Sequence, residues 1–379
     1  MKKIGIITIT DYLNYGNRLQ NYATQELLKS KGFEVESILN EFPTSNVEVG
    51  FVSYLERLKN ALKLSPITLT KKIVEKIDNK VNKRKYKLAK DAKEKSFREF
   101  SKKHLIETNF IISDKNIPSN LGELYDYFVV GSDQIWNPKI RFGSPIDFLR
   151  FAPKNKRIAL APSFGISSIP EMYVEKYKLW LSEMEYLSVR EQAGSDIINK
   201  LTGIEVPVHI DPTLMLTKND WISISENGRR KPEKKYLLTY FIGAVSRKRM
   251  KIIQKIADKY DLDIVQLASL KDIKRYGASP GEFLDYINSS TIVCTDSFHA
   301  IIFSMQMEKP FVVFDREGKS APMSSRIDTL LGKFEFGSRK YDVLAKTENW
   351  NEIKYNHFQG ILENERLKVN TYLTNALSK

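Results

Sequence analysis

Residues 291–314 read TIVCTDSFHAIIFSMQMEKPFVVF. TIVC is a short apolar run, TDS a polar turn, HAIIFSMQ a helix-forming stretch and PFVVF a second apolar run. A strand, a turn, a helix and a strand in so short a span describe a crossover between parallel neighbours in a sheet covered on both faces. The same unit carries a chemical signal. His299, one of four histidines in the chain, falls in the first turn of the helix, at the positive end of its dipole. Asp296 and Ser297 stand beside it and Phe298 packs beneath, whereas the Ile and Phe residues that follow offer no evident polar partner to a core imidazole. The ring therefore reads as a group placed to meet an anion.

The same grammar runs outward in both directions. KKIGIITIT is a short buried strand, and the stretch after it gives a polar loop, a helix with Leu19, Ala23 and Leu27 on one face, and Gly32 as its stop before the strand FEVESI. YDYFVV, RIALAP, YLSV, PVHI, KYLLTYFIG and DIVQL are further short strands among helical stretches. The fold class predicted is α/β, with two Rossmann-like domains facing a cleft and a basic helical insert in the first. Residues 1–225 form the first domain, with the insert at about 50–110; ENGRRKPEKK, 226–235, is the linker; 236–350 form the second domain. Residues 351–379 are read as a C-terminal helix that packs back on the first domain.

A chain of 379 residues suits two domains, and 42% hydrophobic with 28% charged residues is a globular composition. One cysteine, Cys294, excludes a disulfide framework. The apolar run after Lys3 is too short for a signal-peptide core, and no window approaches the roughly 18 apolar residues of a spanning helix. These features predict a cytoplasmic protein. The net charge of +14 is concentrated: residues 51–110 hold 17 Lys plus Arg against 7 Asp plus Glu. Such a face is either a solvated helical surface or an attractor of polyanions, including an anionic membrane surface. Nucleic acid is not expected, because no aromatic residues interleave with the basic ones on a sheet face and no helix-turn-helix pattern is present. CxxC, HExxH, a P-loop and a GxSxG elbow are all missing, so no metal is called for.

In doubly wound sheets ligands bind beyond the carboxyl ends of the strands, so the polar residues there are the site candidates. After the first strand come Asp11, Asn14, Gly16 and Asn17, for which the alternative reading is a turn capped by Asn17. GSDQ after YFVV offers Ser132, Asp133 and Gln134, with Asp133 a hydroxyl-binding group or base. Ser163 follows RIALAP, and Arg190 follows YLSV, where a guanidinium can grip a phosphate or carboxylate through two nitrogens. Asp211, in DPT, reads as a turn former. His209 reads as a satisfied core or interface histidine, and His104 and His357 as incidental. Lys319 and Arg326, in a loop returning to the cleft, offer further cations.

Together, LNYGNRLQNYA, FVVGSDQIWNP, the SFG turn, LSVRE followed by DPTLML, and the long run from SPGEFLDYINSS to PFVVF resemble the polysaccharide pyruvyl transferase family over about residues 4–330. The resemblance implies a GT-B-type architecture and transfer of pyruvate from phosphoenolpyruvate, the donor substrate, onto a sugar as a ketal, with no cofactor required. It places the family's essential histidine on His299 and its donor-binding arginine on Arg190. Some members carry a basic residue where this chain has Ser297, next to Phe298, which leaves Lys319 or Arg326 to supply the missing cation. The acceptor implied is a lipid-linked or nucleotide-linked glycan of a cell-surface polysaccharide, which sets the basic insert beside the inner membrane face. The alternatives are a GT-B glycosyltransferase using a nucleotide sugar and a non-catalytic membrane- or polyanion-binding protein.

Overall fold

The computed structural model describes residues 1–43, 81–228, 230–243, 245–270, 272–317 and 324–378. Five strands form a parallel sheet: β1 (Lys3–Ile7), β2 (Glu34–Asn40), β3 (Glu107–Ile112), β4 (Tyr127–Val130) and β5 (Arg157–Ala159), in the order β3-β2-β1-β4-β5. Four more, β6 (Tyr236–Tyr240), β7 (Asp263–Leu267), β8 (Ile292–Thr295) and β9 (Phe311–Val313), form a second parallel sheet in the order β7-β6-β8-β9. β4, β6, β8 and β9 are buried along their whole length, which is why they read as unbroken apolar runs. The strand order reverses between β1 and β4 in the first sheet and between β6 and β8 in the second. Crevices for a ligand open at such reversals.

The helices that build the site and its supports are, in chain order, α1 (Tyr15–Lys29), α2 (Lys83–His104), α3 (Gln192–Thr202), α4 (Arg247–Lys259), α5 (Pro280–Ser289), α6 (Phe298–Gln306), α7 (Ser324–Lys333) and α8 (Phe358–Ala376). α6, the helix of the opening stretch, is buried on every side, which its uninterrupted apolar sequence allows. One apolar core crosses from lobe to lobe: Leu19 and Val129 belong to it, as do Leu238, Phe303 and Leu373. Tyr15 stacks on Phe283 of α5 with centroids 4.5 Å apart, and Trp221 meets Phe303 edge-on at 4.9 Å.

Two elements differ from the sequence reading. YLSV and PVHI make only isolated bridges, Tyr186 to Ile158 and Val189 to Val208, so they extend the first sheet without becoming strands. Residues 107–112, most of which were read within the insert, form β3 at the sheet edge, with Thr108 and Ile112 buried and Glu107, Phe110 and Ile111 partly or fully exposed. The rest of the insert before residue 81 lies outside the described residues. α2 is not merely a solvated surface. Phe97 and Phe100 enter the core, Ser96 Oγ donates to Gly277 O at 3.0 Å, and Lys93 Nζ lies 4.7 Å from the Tyr15 ring and 5.2 Å from that of Tyr276. The helix thus ties the two lobes together.

α8 lies against the first sheet. Tyr372 Oη donates to Ala159 O at 2.8 Å, and Arg366 Nε and Nη2 donate to Leu214 O and Leu216 O at 2.8 and 2.6 Å. Tyr127 of β4 holds both ends of the chain, donating to Leu377 O and accepting from Lys2 Nζ, each at 3.2 Å.

Candidate active site at the seam between the lobes

On the first lobe, β1 runs into a loop that ends at Asn14, whose side chain caps α1 by accepting from Asn17 N at 3.4 Å. The cap is therefore Asn14 and not Asn17. Asn17 is buried, and its Nδ2 donates to Ile9 O at 2.7 Å and to Asp133 Oδ2 at 3.0 Å, while its Oδ1 accepts from Asp11 N at 3.0 Å and Arg18 Nη2 at 2.8 Å. Asp133 sits in the turn after β4 with φ +36°, and its Oδ1 accepts from Gln134 N at 2.8 Å. Gly131, at φ +136°, is required by closeness: a Cβ there would stand 2.0 Å from Leu160 O.

Two more turns from the first lobe complete the near side. Arg190 Nη1 donates to Asp211 Oδ2 at 2.5 Å and to Ser132 Oγ at 3.3 Å, and Ser132 Oγ in turn donates to the same Asp211 oxygen at 2.8 Å. Asp211 Oδ1 caps its own turn, accepting from Thr213 N at 3.0 Å and Thr213 Oγ1 at 2.7 Å. The second lobe supplies His299, whose Nε2 lies 3.7 Å from Asp211 Oδ2, an ion-pair separation longer than a hydrogen bond. The imidazole is seated against α1 of the first lobe, for a Cβ on Gly16 would come within 2.0 Å of its Nδ1. His299 and Arg190, far apart in sequence, thus share one carboxylate oxygen across the seam.

The electrostatics follow from that crowding. Burial alone would raise Asp211, but His299, the Arg190 guanidinium and the Thr213 backbone outweigh it and hold the carboxyl far below the usual range. Asp133 is likewise held low: burial opposes ionisation, and the charges of Arg190 and His299, the Asn17 amide and Arg326 overcome it. Burial leads in lowering Arg326 to about 10, with Arg190 adding repulsion. Both guanidinium groups lie beside the Phe298 ring, Arg190 at 4.4 Å and Arg326 at 5.8 Å from its centroid. Arg326 comes from α7 and thus brings a second guanidinium to the ring that follows Ser297. Ser297 itself caps α6, accepting from Ala300 N at 3.4 Å.

Other candidates fall outside this cluster. Ser163 donates to Glu191 Oε1, which also accepts from Phe164 N and Gly165 N, so the SFG turn is shaped by a buried carboxylate. Gln134 accepts from Asn137 Nδ2 at 2.9 Å. Asp296 accepts from Ile242 N at 2.8 Å and faces Arg316 at 3.9 Å, and burial raises its carboxyl. Asp11 is also raised, first by burial and then by Asp133, with the Leu13 backbone N–H, Arg18 and Lys93 opposing. Lys319 lies outside the described residues. His209 is buried, as expected, but neither ring nitrogen has a hydrogen-bond partner, so it is not a satisfied histidine. Sequence reading missed Asp211 as a site residue because the DPT turn accounts for one of its oxygens and says nothing about the other.

The seam is closed. A cavity of about 10 Å³ bounded by Arg190, His209, Asp211, Phe298 and Thr329 has room for about one water and none for a phosphate. A more open groove of about 680 Å³ lies elsewhere, between α2 and residues 273–286. It holds none of the clustered acid–base groups, so the seam and not the groove is the candidate active site. Among the described residues no three potential metal ligands gather, and no helix is long and apolar enough to cross a membrane.

Comparison with known proteins gives a family and a fold. The model of the family described as polysaccharide pyruvyl transferase matches residues 14–318. No curated protein matches in sequence. Among solved structures, UDP-GlcNAc 2-epimerase of Methanocaldococcus jannaschii in complex with UDP-GlcNAc and UDP aligns with TM-score 0.50 at 15% identity, over 98% of this chain and 99% of that one. The Neisseria meningitidis UDP-GlcNAc 2-epimerase bound to UDP-GlcNAc gives 0.44 at 10% identity, over 99% and 100%. The E. coli heptosyltransferase WaaC with ADP gives 0.37 at 9% identity, over 86% and 90%. The architecture is that of the GT-B proteins, two parallel α/β lobes facing a seam.

Proposed function

The chain belongs to the polysaccharide pyruvyl transferase family, and on that premise we propose that it moves the pyruvyl group of phosphoenolpyruvate onto a sugar of a cell-surface polysaccharide precursor as a cyclic ketal. In this reaction the donor's methylene carbon gains a proton and becomes a methyl group, its enol carbon forms bonds to two sugar oxygens, and its bond to the phosphate oxygen breaks. The two hydroxyl protons are accounted for by the new methyl group and the released phosphate.

The observation that carries the reading is the meeting of Arg190 and His299 on Asp211 Oδ2, 2.5 and 3.7 Å away, one group from each lobe. Phosphoenolpyruvate is a small, multiply charged anion, and arginine suits both its carboxylate and its phosphate. Arg190 has Nε and Nη2 buried without hydrogen-bond partners, the pair of donors that grips such a group side-on. Arg326 adds a second positive charge around Phe298. His299, protonated, is the general acid toward the methylene carbon. Asp133, held ionised with Oδ2 on Asn17, accepts the hydrogen bond of a sugar hydroxyl and orients it for attack.

The test uses phosphoenolpyruvate directly. Calorimetry is expected to show binding to the wild type that Arg190→Ala weakens at least tenfold, while His299→Ala retains the fold and loses phosphate release in the presence of lipid- or nucleotide-linked sugars. Most of the release surviving in His299→Ala would refute the assignment. A larger thermal shift with UDP than with phosphoenolpyruvate would favour a nucleotide-sugar transferase instead.

The enzyme works in the cytoplasm, in this reading, with α2 resting on the inner membrane face where lipid-linked precursors of exopolysaccharide are presented. Lys83, Arg84, Lys85, Lys87 and Lys90 are exposed on it and support this peripheral attachment, which vesicle sedimentation measures.

A further inference from the structure

We infer that Asp211 is the positioning residue of the site, fixing the direction of the Arg190 guanidinium and supplying the negative charge that faces His299. The inference rests on the pyruvyl-transfer reading for its purpose and on geometry for its content. The two carboxylate oxygens have separate tasks. Oδ1 is tied to Thr213 N and Oγ1, which anchors the carboxylate to its own turn. Oδ2 takes Ser132 Oγ at 2.8 Å and Arg190 Nη1 at 2.5 Å, with His299 Nε2 at 3.7 Å.

The guanidinium is thereby held at one nitrogen by Asp211 and on one face by Phe298, 4.4 Å away. What remains is the Nε and Nη2 edge, buried and without partners. Asp211 does not compete with a donor for that edge; it turns the edge toward where a donor's anion binds. An aspartate that merely capped the turn at Pro212–Leu214 would need only one oxygen for the task.

The charges facing His299 come from several elements. Asp211 and Asp133 stand on turns of the first lobe with Arg190 between them, Arg326 approaches from α7, and Asp296 belongs to the histidine's own turn. Among the described residues, Asp211 is the carboxylate in ion-pair range of the ring.

The experiment is a titration of the histidine rings of the full chain by NMR, with His299 identified by comparison with His299→Gln. Asp211→Asn keeps an oxygen for Thr213 and replaces the charge. The expected result is a His299 midpoint below that of the wild type, the direction in which removing an opposite charge at this range moves it. An unmoved midpoint overturns the inference, and it is also what a purely structural cap would give, along with the drop in melting temperature that Thr213→Val would share. Should the Asn variant not fold, Asp211→Glu supplies the second reading. It keeps the charge on a longer arm, so the midpoint stays near the wild-type value while phosphoenolpyruvate affinity falls about tenfold because Arg190 is displaced; unchanged affinity would overturn the assignment. The ring titration needs no substrate, so a failure of the donor reading leaves its outcome intact.

Discussion

Gly16 shows how a single absent methyl group permits the site. It lies in the first turn of α1, on the first lobe, and the space its side chain would take holds the His299 ring of the second. Gly16→Ala is expected to raise the helix propensity of α1 slightly while pushing the imidazole away from Asp211. Phosphate release from phosphoenolpyruvate should therefore drop at least tenfold, and the melting temperature should fall, because the ring must move to admit the methyl group; full activity would mean that the seam yields at no cost. Nothing around position 16 in the sequence announces this, because the contact comes from the other lobe. His299 and Arg190 were legible, since each combines a chemistry-bearing side chain with a strand-end position. Asp211 was read as a turn former and Asn17 as a cleft candidate that a turn cap could equally explain, and only the folded chain shows which of their atoms face Arg190 and Asp133.

At the scale of elements, strands were legible wherever burial on both faces left a continuous apolar run, as in β4, β6 and β8. β3 was not, because ETNFII at a sheet edge alternates buried and exposed residues next to a lysine-rich helix. PVHI was legible as extended chain, but not its consequence: His209 is packed against Tyr372 of α8, with ring centroids 5.0 Å apart, and burial pushes it down to about 4. The folded protein thus resists a proton that the unfolded chain takes near 6.5. Stability is fully present above the unfolded value and falls as pH drops from about 6.5 to about 4, by roughly 3 kcal/mol for this group. His104, also lowered by burial, acts in the same direction. Asp133 and Asp211, held low, retain their contribution through that window and lose it at lower pH. His209→Leu is expected to narrow the gap between melting temperatures measured near pH 7.5 and pH 5; an equal gap in both proteins would contradict the buried, neutral imidazole.

For the whole molecule, the sequence disclosed two lobes and an excess of basic residues, but not how closely the lobes are joined. α2 carries its charges on an outer face and places Phe97, Phe100 and Lys93 in the contact between lobes. Its charge pattern alone could not separate these two roles. If the outer face meets a membrane, each exposed Lys or Arg contributes ~1 kcal/mol of attraction at low salt. The protein should then sediment with vesicles containing a third phosphatidylserine at low ionic strength and be released by salt, and a variant with Lys83, Lys85, Lys87 and Lys90 changed to Glu should remain in the supernatant. Wild type left in the supernatant at low salt would remove the membrane from the account.

The hydroxyl of Tyr127, which touches Lys2 on one side and Leu377 on the other, has a practical corollary. Fluorophores fixed at Lys2 and Leu377 would ride together on one lobe and report a constant distance however far the seam opens. A reporter of opening needs one label on the outer turns of α4 and the other near either terminus.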